Sequence, residues 1–168
     1  MPKIIENLRE NLVLEAKRQV QEQGYAALTI RSVATACGVG VGTVYNYFDS
    51  KDSLVAAFML DQWQACIALV ERTAWTTRQP EPVLRSIYDQ LQQFIDQNQS
   101  VFGDSAALSS FSGSPSPYHS LLRHQLAQPL LEFCHTEFAA EFIAESLLTW
   151  TVAGRSFEDI YEIIQKIL

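Results

Sequence analysis

The sequence predicts an all-α protein in two parts, three short helices in roughly the first fifty residues and a longer helical bundle after them. Three observations carry that reading. Apolar residues recur at i, i+3, i+4 and i+7 along most of the chain, the one-sided stripe of amphipathic helices. No run shows sustained two-residue alternation with β-branched residues and hairpin turns. Breaks fall at Gly24, Gly38, the TTRQPEP segment and Gly154, where glycine or proline ends a helix sharply.

The first helix is expected from about Pro2 to Gln23, with Ile5, Leu8, Leu12 and Ala16 on one side and Gly24 closing it. The stretch Thr29–Ser53, TIRSVATACGVGVGTVYNYFDSKDS, then describes two short helices folded across a tight turn. Ile30, Val33, Ala34 and Cys37 form the first stripe. Thr29 stands where a hydroxyl can accept from an orphan N–H, and Gly38 permits the positive φ that ends the helix. Val39 follows as an apolar peg, and Val41, Val44 and Phe48 are expected to pack the second helix on the first.

What remains outward is Gly42, Thr43, Tyr45, Asn46 and Tyr47, a face with two aromatics and no long charged side chain. The major groove of DNA accepts one α-helix and is read by side chains near that helix's N-terminus. A glycine there lets the backbone approach closely, and a threonine methyl or tyrosine ring can lie against a thymine methyl. Because no Arg or Lys lies between Val41 and Phe48, the bidentate arginine-to-guanine contact is ruled out for this helix, and specificity is expected from thymine methyls, hydroxyl contacts and DNA shape. Ser50 is placed to cap the next helix, with Lys51 beside its start.

In these residues GVGVGTVYNYFDSKDSL resembles the recognition segment of TetR-type transcriptional regulators: glycine, then Thr-x-Tyr, then Tyr-Phe, then Lys and Leu at matching offsets. The resemblance runs from about Ile5 to Leu54; Ser53 departs from it, standing where an acidic residue is usual. It implies a helix-turn-helix DNA-binding domain at 1–50 and a helical effector-binding and dimerisation domain at 51–168. It further implies that Thr43, Tyr45 and Tyr47 face DNA, that Thr29, Arg31 and Lys51 approach phosphates, and that the protein binds as a dimer.

Charge fits a DNA binder only when divided by region. The 168-residue chain carries a net −7, yet its first 55 residues balance six basic groups (Lys3, Arg9, Lys17, Arg18, Arg31, Lys51) against six acidic ones (Glu6, Glu10, Glu15, Glu22, Asp49, Asp52). The acidic remainder would repel DNA from the wrong face, and the few cations imply a modest number of phosphate contacts per subunit. Three cysteines without metal-ligand spacing fit buried thiols in a reducing compartment. With charges expected to interrupt every apolar run and no hydrophobic leader in MPKIIENLRENL, the chain reads as cytoplasmic, with no membrane partner.

Beyond Ser50 a long helix is expected from Lys51 to about Thr73, turning Leu54, Phe58, Cys66 and Leu69 toward the core and linking the two parts. The prolines of TTRQPEP stop it, and a helix from about Val83 to Gln97 follows, facing Leu84, Ile87, Leu91, Phe94 and Ile95 inward. The serine-, glycine- and proline-rich SVFGDSAALSSFSGSPSPYHS reads as a short helix and a loop, either a gate or a plain connector. From Tyr118 to His135 the chain is helical, with Pro129 kinking or dividing it. The last two helices span about Glu137–Ala153 and Phe157–Ile167.

Aromatics on several elements, Trp63, Phe94, Phe102, Phe111, Tyr118 and Trp150, are candidates to line a largely apolar pocket, and the resemblance implies a small-molecule effector there. Ile143, Leu147, Trp150, Phe157, Tyr161 and Ile164 are candidates for a four-helix interface with a second copy. Neither a phosphate-cradling glycine loop nor a G-x-S-x-G nucleophile occurs. His119, His124 and His135 lie too far apart for an i, i+4 ligand pair. No metal, cofactor or enzymatic activity is expected. The reading is a homodimeric repressor released from a palindromic operator by a small, largely apolar effector; its alternative is a protein-interaction adaptor on the same fold that senses no small molecule.

Overall fold

The computed structural model describes residues 7–105 and 117–168, with backbone alone at 117 and 118. Nine helices lie among the described residues, and no strand: α1 Leu8–Gln23, α2 Ile30–Ala36, α3 Val41–Tyr45, α4 Lys51–Thr77, α5 Pro80–Gln97, α6 Gln99–Phe102, α7 Pro117–Ala127, α8 Glu137–Val152 and α9 Phe157–Ile164. Single 3-10 turns occur at Tyr25–Ala27 and Gln128–Leu130. Two compact units separate, one drawn from the described residues of Met1–Gln62 and Asn98–Ser110, the other from Trp63–Gln97 and those of Phe111–Leu168.

In the N-terminal unit α1 buries Leu8, Leu12, Ala16 and Val20, one residue per turn, and α2 buries Ile30, Val33 and Ala34. Val44 of α3, Phe48 behind it, and Leu54, Val55 and Phe58 of α4 complete the core. Full burial of a Leu, Val or Phe side chain stabilises by roughly 1.5–3 kcal/mol, so these few positions dominate the unit's cohesion. Val41 departs from expectation. It is 36% exposed, because the five-residue α3 turns only one buried line, Val44 and Phe48, inward.

The turn between α2 and α3 is fixed by Gly38 at φ 68°. It lets the Gly38 amide donate to the Thr35 carbonyl and the Val39 amide reach back to the Ala34 carbonyl at 2.9 Å. A Cβ at Gly38 would meet no atom within 4 Å, so the constraint is the backbone's alone. Gly38→Ala is therefore expected to lower unfolding stability by about 1–2 kcal/mol, read from the shift in a urea midpoint at constant slope.

The C-terminal unit is built on α5 and α8. Pro80 opens α5 and Pro82 sits in its first turn, where a missing N–H removes no helical bond. α5 buries Val83, Leu84, Ile87, Leu91 and Phe94. α8 packs against α5, α7 and α9 and contributes Ala140, Ile143, Ala144, Leu147 and Leu148. α9 is pinned to α5 by Arg85, whose guanidinium lies 3.8 Å over the Phe157 ring while donating to Glu158 at 2.9 Å. The helix before Pro129 ends at Ala127 rather than kinking, and Pro129 enters a 3-10 turn.

α4 corrects two expectations. It runs to Thr77, and Leu69 is 45% exposed while Trp63, Ile67 and Val70 are buried. Nor do charges interrupt every apolar run: Asp61 is the sole charge from Leu54 to Val70, and by length and composition this helix is long and apolar enough to cross a membrane. Its apolar content serves a buried line of Leu54, Val55, Phe58, Trp63, Cys66, Ile67, Val70 and Ala74, with small or amide side chains filling much of the rest.

Candidate nucleic-acid interface

The outward face of α3 has little side-chain chemistry and no charge. Gly42, Tyr45, Asn46 and Tyr47 are exposed, Tyr45 at 52% and Tyr47 at 47%, and Thr43 is half-buried. Val44 and Phe48 anchor the segment from below, and the backbone keeps winding past α3 as Tyr47 and Phe48 donate to the Val44 carbonyl at 2.9 and 3.0 Å. Gly40 precedes the helix without a side-chain cap, and its carbonyl accepts from the Thr43 amide at 2.9 Å. A Cβ added at Gly42 would meet nothing within 4 Å, so nothing inside the protein requires glycine there. Glycine in a helix costs about 1 kcal/mol relative to alanine.

Thr29 and Arg31 are both exposed at the start of α2. Thr29 caps it reciprocally: the Ser32 amide donates to Thr29 Oγ1 at 3.0 Å and the Thr29 amide to Ser32 Oγ at 3.2 Å. A partly buried chain lies behind. Gln19, only 5% exposed, donates from Nε2 to Glu15 Oε1 at 2.7 Å and accepts from Ser32 Oγ at 2.6 Å. The hydrogen bond from Arg18 holds the Glu15 carboxyl below its ordinary range, so Glu15 can only accept. That orients the Gln19 amide, and the Ser32 hydroxyl faces both Gln19 Oε1 and the Thr29 carbonyl, at 2.6 and 2.8 Å. The Thr29 hydroxyl proton, committed to no described residue, is left to donate outward, as a phosphate oxygen requires.

Ser50 repeats the device at α4. Its hydroxyl accepts from the Ser53 amide and its own amide donates to Ser53 Oγ, each at 3.1 Å. Ser53 thus performs the reciprocal cap that a carboxylate at this position would otherwise supply. Lys51, half-buried, lies 4.0 Å over the centre of the Tyr25 ring and donates to the Tyr25 carbonyl at 3.3 Å. The buried Tyr25 hydroxyl in turn donates to Asp52.

These local contacts were partly readable. Serine three residues after Thr29 and after Ser50 is the reciprocal-cap spacing. Gln19 falls on the buried side of α1, where a polar residue needs a partner. Tyr25 and Asp52 carried no such signal.

Elsewhere the candidate positions separate. Trp63 is buried, donates from Nε1 to Gln125 at 2.7 Å and meets Phe94 edge-on at 5.5 Å. Trp150 is 48% exposed and Phe102 belongs to the N-terminal unit. Phe111 and the Tyr118 side chain lie outside the described residues. Of the candidate dimer residues, Ile143, Leu147, Phe157 and Ile164 are no more than 2% exposed. They pack in the chain's own core. Tyr161 is half-buried. The large apolar side chains that α8 and α9 do present are Phe138 at 75%, Phe142, Trp150, Val152 and Ile163, with Ile167 just beyond α9.

On α8, partial burial of Glu145 is outweighed by His119 at 3.0 Å and by the Thr149 hydroxyl, which donates to it at 2.9 Å, so its carboxyl lies below the ordinary range. Cys66 is buried, whereas Cys37 and Cys134 are half-buried; burial pushes all three thiols up. Cys37 borders a cleft of about 360 Å³ in the N-terminal unit, lined also by Leu14, Glu15 and Arg18.

Residues 12–58 match the family model described as bacterial regulatory proteins, tetR family. Over 54 residues the chain is 35% identical to the HTH-type transcriptional regulator HbdR of Aromatoleum sp. (strain CIB), covering 32% of this chain and 24% of HbdR, so it spans about a quarter of that relative. Over 165 residues it is 24% identical to the HTH-type transcriptional repressor KstR of Mycobacterium tuberculosis, covering 90% of this chain and 75% of KstR. Its fold is shared with Thermus thermophilus FadR, a TetR-family transcriptional repressor solved with lauroyl-CoA, at a TM-score of 0.69, 20% identity, and coverage of 94% of this chain and 91% of that one.

Proposed function

Through residues 12–58 the chain belongs to the TetR family of bacterial regulatory proteins, and from that premise we propose that it is a homodimeric transcriptional repressor of a palindromic operator, released by a small, largely apolar effector. The observation that carries the reading is the exposed, uncharged face of Gly42, Thr43, Tyr45, Asn46 and Tyr47 over the buried anchors Val44 and Phe48. Such a face reads thymine methyls and groove shape rather than guanine edges. Thr29, Arg31 and Lys51 hold the backbone phosphates around it.

One subunit offers too few cations for tight binding, so two act together. The exposed side chains of α8 and α9, Phe138, Phe142, Val152 and Ile163 foremost, supply the surface for the second copy. The effector site is placed in the C-terminal unit, where the buried Trp63 ring meets Phe94 edge-on and donates to Gln125. The lauroyl-CoA complex of FadR supports an effector with a large apolar part. Release follows if the effector binds the DNA-incompetent dimer more tightly than the competent one. The chain acts where its operator is, in the cytoplasm.

Selection of bound duplexes from a random pool tests the reading. It should return an inverted repeat rich in A·T at the contacted positions; recovery of no common sequence, or of guanine-centred half-sites, contradicts it. Gly42→Ala adds an independent check. It is expected to keep or slightly raise thermal stability, since alanine favours helix by about 1 kcal/mol, while weakening operator binding at least about tenfold, the scale of one lost close contact. Fluorescence anisotropy beside a thermal melt measures both.

A further inference from the structure

The contacts around Lys51 give Tyr25 a role beyond filling the core. We propose that Tyr25 is a positioning residue for Lys51: its ring face and carbonyl hold the ammonium group in place for a DNA phosphate, and its hydroxyl, donated to Asp52, holds the ring. The inference rests on the DNA-reading function proposed above.

A surface lysine is a poor phosphate clamp because its flexible stem loses rotamer freedom on binding. Lys51 has already lost much of it. Its Nζ sits 4.0 Å from the centre of the Tyr25 ring and donates to the Tyr25 carbonyl at 3.3 Å, across 26 residues of sequence. Each contact is matched to an ammonium ion, the ring through its negative face and the carbonyl through its lone pairs. Neither neutralises the charge, and an ammonium has three donors, of which the carbonyl takes one. Asp52 is the group that could neutralise it, lying next in the chain. Its Oδ1 instead accepts from the Tyr25 hydroxyl, which draws that oxygen to the hydroxyl end of the ring. Tyr25 is 3% exposed, so the platform under the lysine is part of the core and does not wander.

The test uses the full chain, the operator duplex that wild type selects, and a scrambled duplex of equal length. Affinity is measured against NaCl concentration for wild type, Tyr25→Phe, Tyr25→Leu, Lys51→Met and each Tyr25 variant combined with Lys51→Met. Lys51→Met should shallow the log–log salt slope by about 1 per subunit. Tyr25→Leu should weaken binding by about fivefold to tenfold per subunit, the scale of a lysine's recovered freedom, with the slope unchanged. Tyr25→Phe, which keeps the ring and frees Asp52 to draw the ammonium, should weaken it by about threefold, the scale of one lost hydrogen bond. Both Tyr25 effects should vanish in the Lys51→Met background.

If Tyr25→Leu fails to fold in a thermal melt, Tyr25→Phe carries the cycle. An unchanged slope in Lys51→Met, or Tyr25 effects that persist without the lysine, overturns the inference while the DNA-reading function stands. If wild type selects no sequence, that function and this inference fall together.

Discussion

Tyr45→Ala is expected to abolish specific operator binding while leaving the fold intact. Tyr45 stands on α3 with 52% of its surface exposed, beside the buried Val44 that anchors the helix, so its ring contributes little to the core. Exposed substitutions of this kind usually move stability by no more than about 0.5 kcal/mol. An aromatic at the centre of an interface contributes about 2 kcal/mol or more. Two copies on a palindrome therefore lose about 4 kcal/mol, close to a thousandfold in affinity. Binding to a scrambled duplex, which depends on phosphates, should fall far less. A thermal melt with anisotropy titrations on both duplexes separates these outcomes; equal losses on the two would show that Tyr45 reads no bases.

The second large effect is expected from Phe142→Glu. Phe142 is 48% exposed on α8, with its ring 6.4 Å from that of Phe138, itself 75% exposed. Nothing in the monomer needs this pair outside, so the substitution should leave the melting temperature of the isolated chain nearly unchanged. In a dimer interface it would bury an uncompensated carboxylate, which costs several kcal/mol on each side of the axis. Sedimentation should then report a single copy at micromolar concentration. Operator affinity should fall by more than about a hundredfold, because each half-site must be held by one subunit's contacts alone. A variant that still sediments as wild type would move the interface away from α8.

Local chemistry was legible wherever one residue decides a local structure. Thr29 caps α2, Gly38 takes the positive φ that ends it, and Val44 with Phe48 anchors the exposed face; each follows from spacing within one or two turns. Which face of a helix turns inward was harder where both are apolar. α8 carries Phe138, Phe142 and Val152 on its exposed side and Ile143, Leu147 and Leu148 on its buried side. Periodicity marks such faces without ranking them, and the chain's own core takes Ile143 and Leu147. Leu69 in α4, 45% exposed, differs from expectation for the same reason, whereas Val41 is exposed because α3 is only five residues long. The links from Lys51 and Asp52 to Tyr25 join residues 26 and 27 positions apart, beyond the reach of any local pattern.

The central claim is that two copies of the chain read one operator through paired α3 faces. Its most direct test is to form the complex on the selected operator, measure its mass, and footprint the DNA with hydroxyl radicals. Two chains, or a whole multiple of two, are expected, with protections related by a dyad and major-groove centres about 34–36 Å apart. A single chain on one unrepeated protected patch would contradict it.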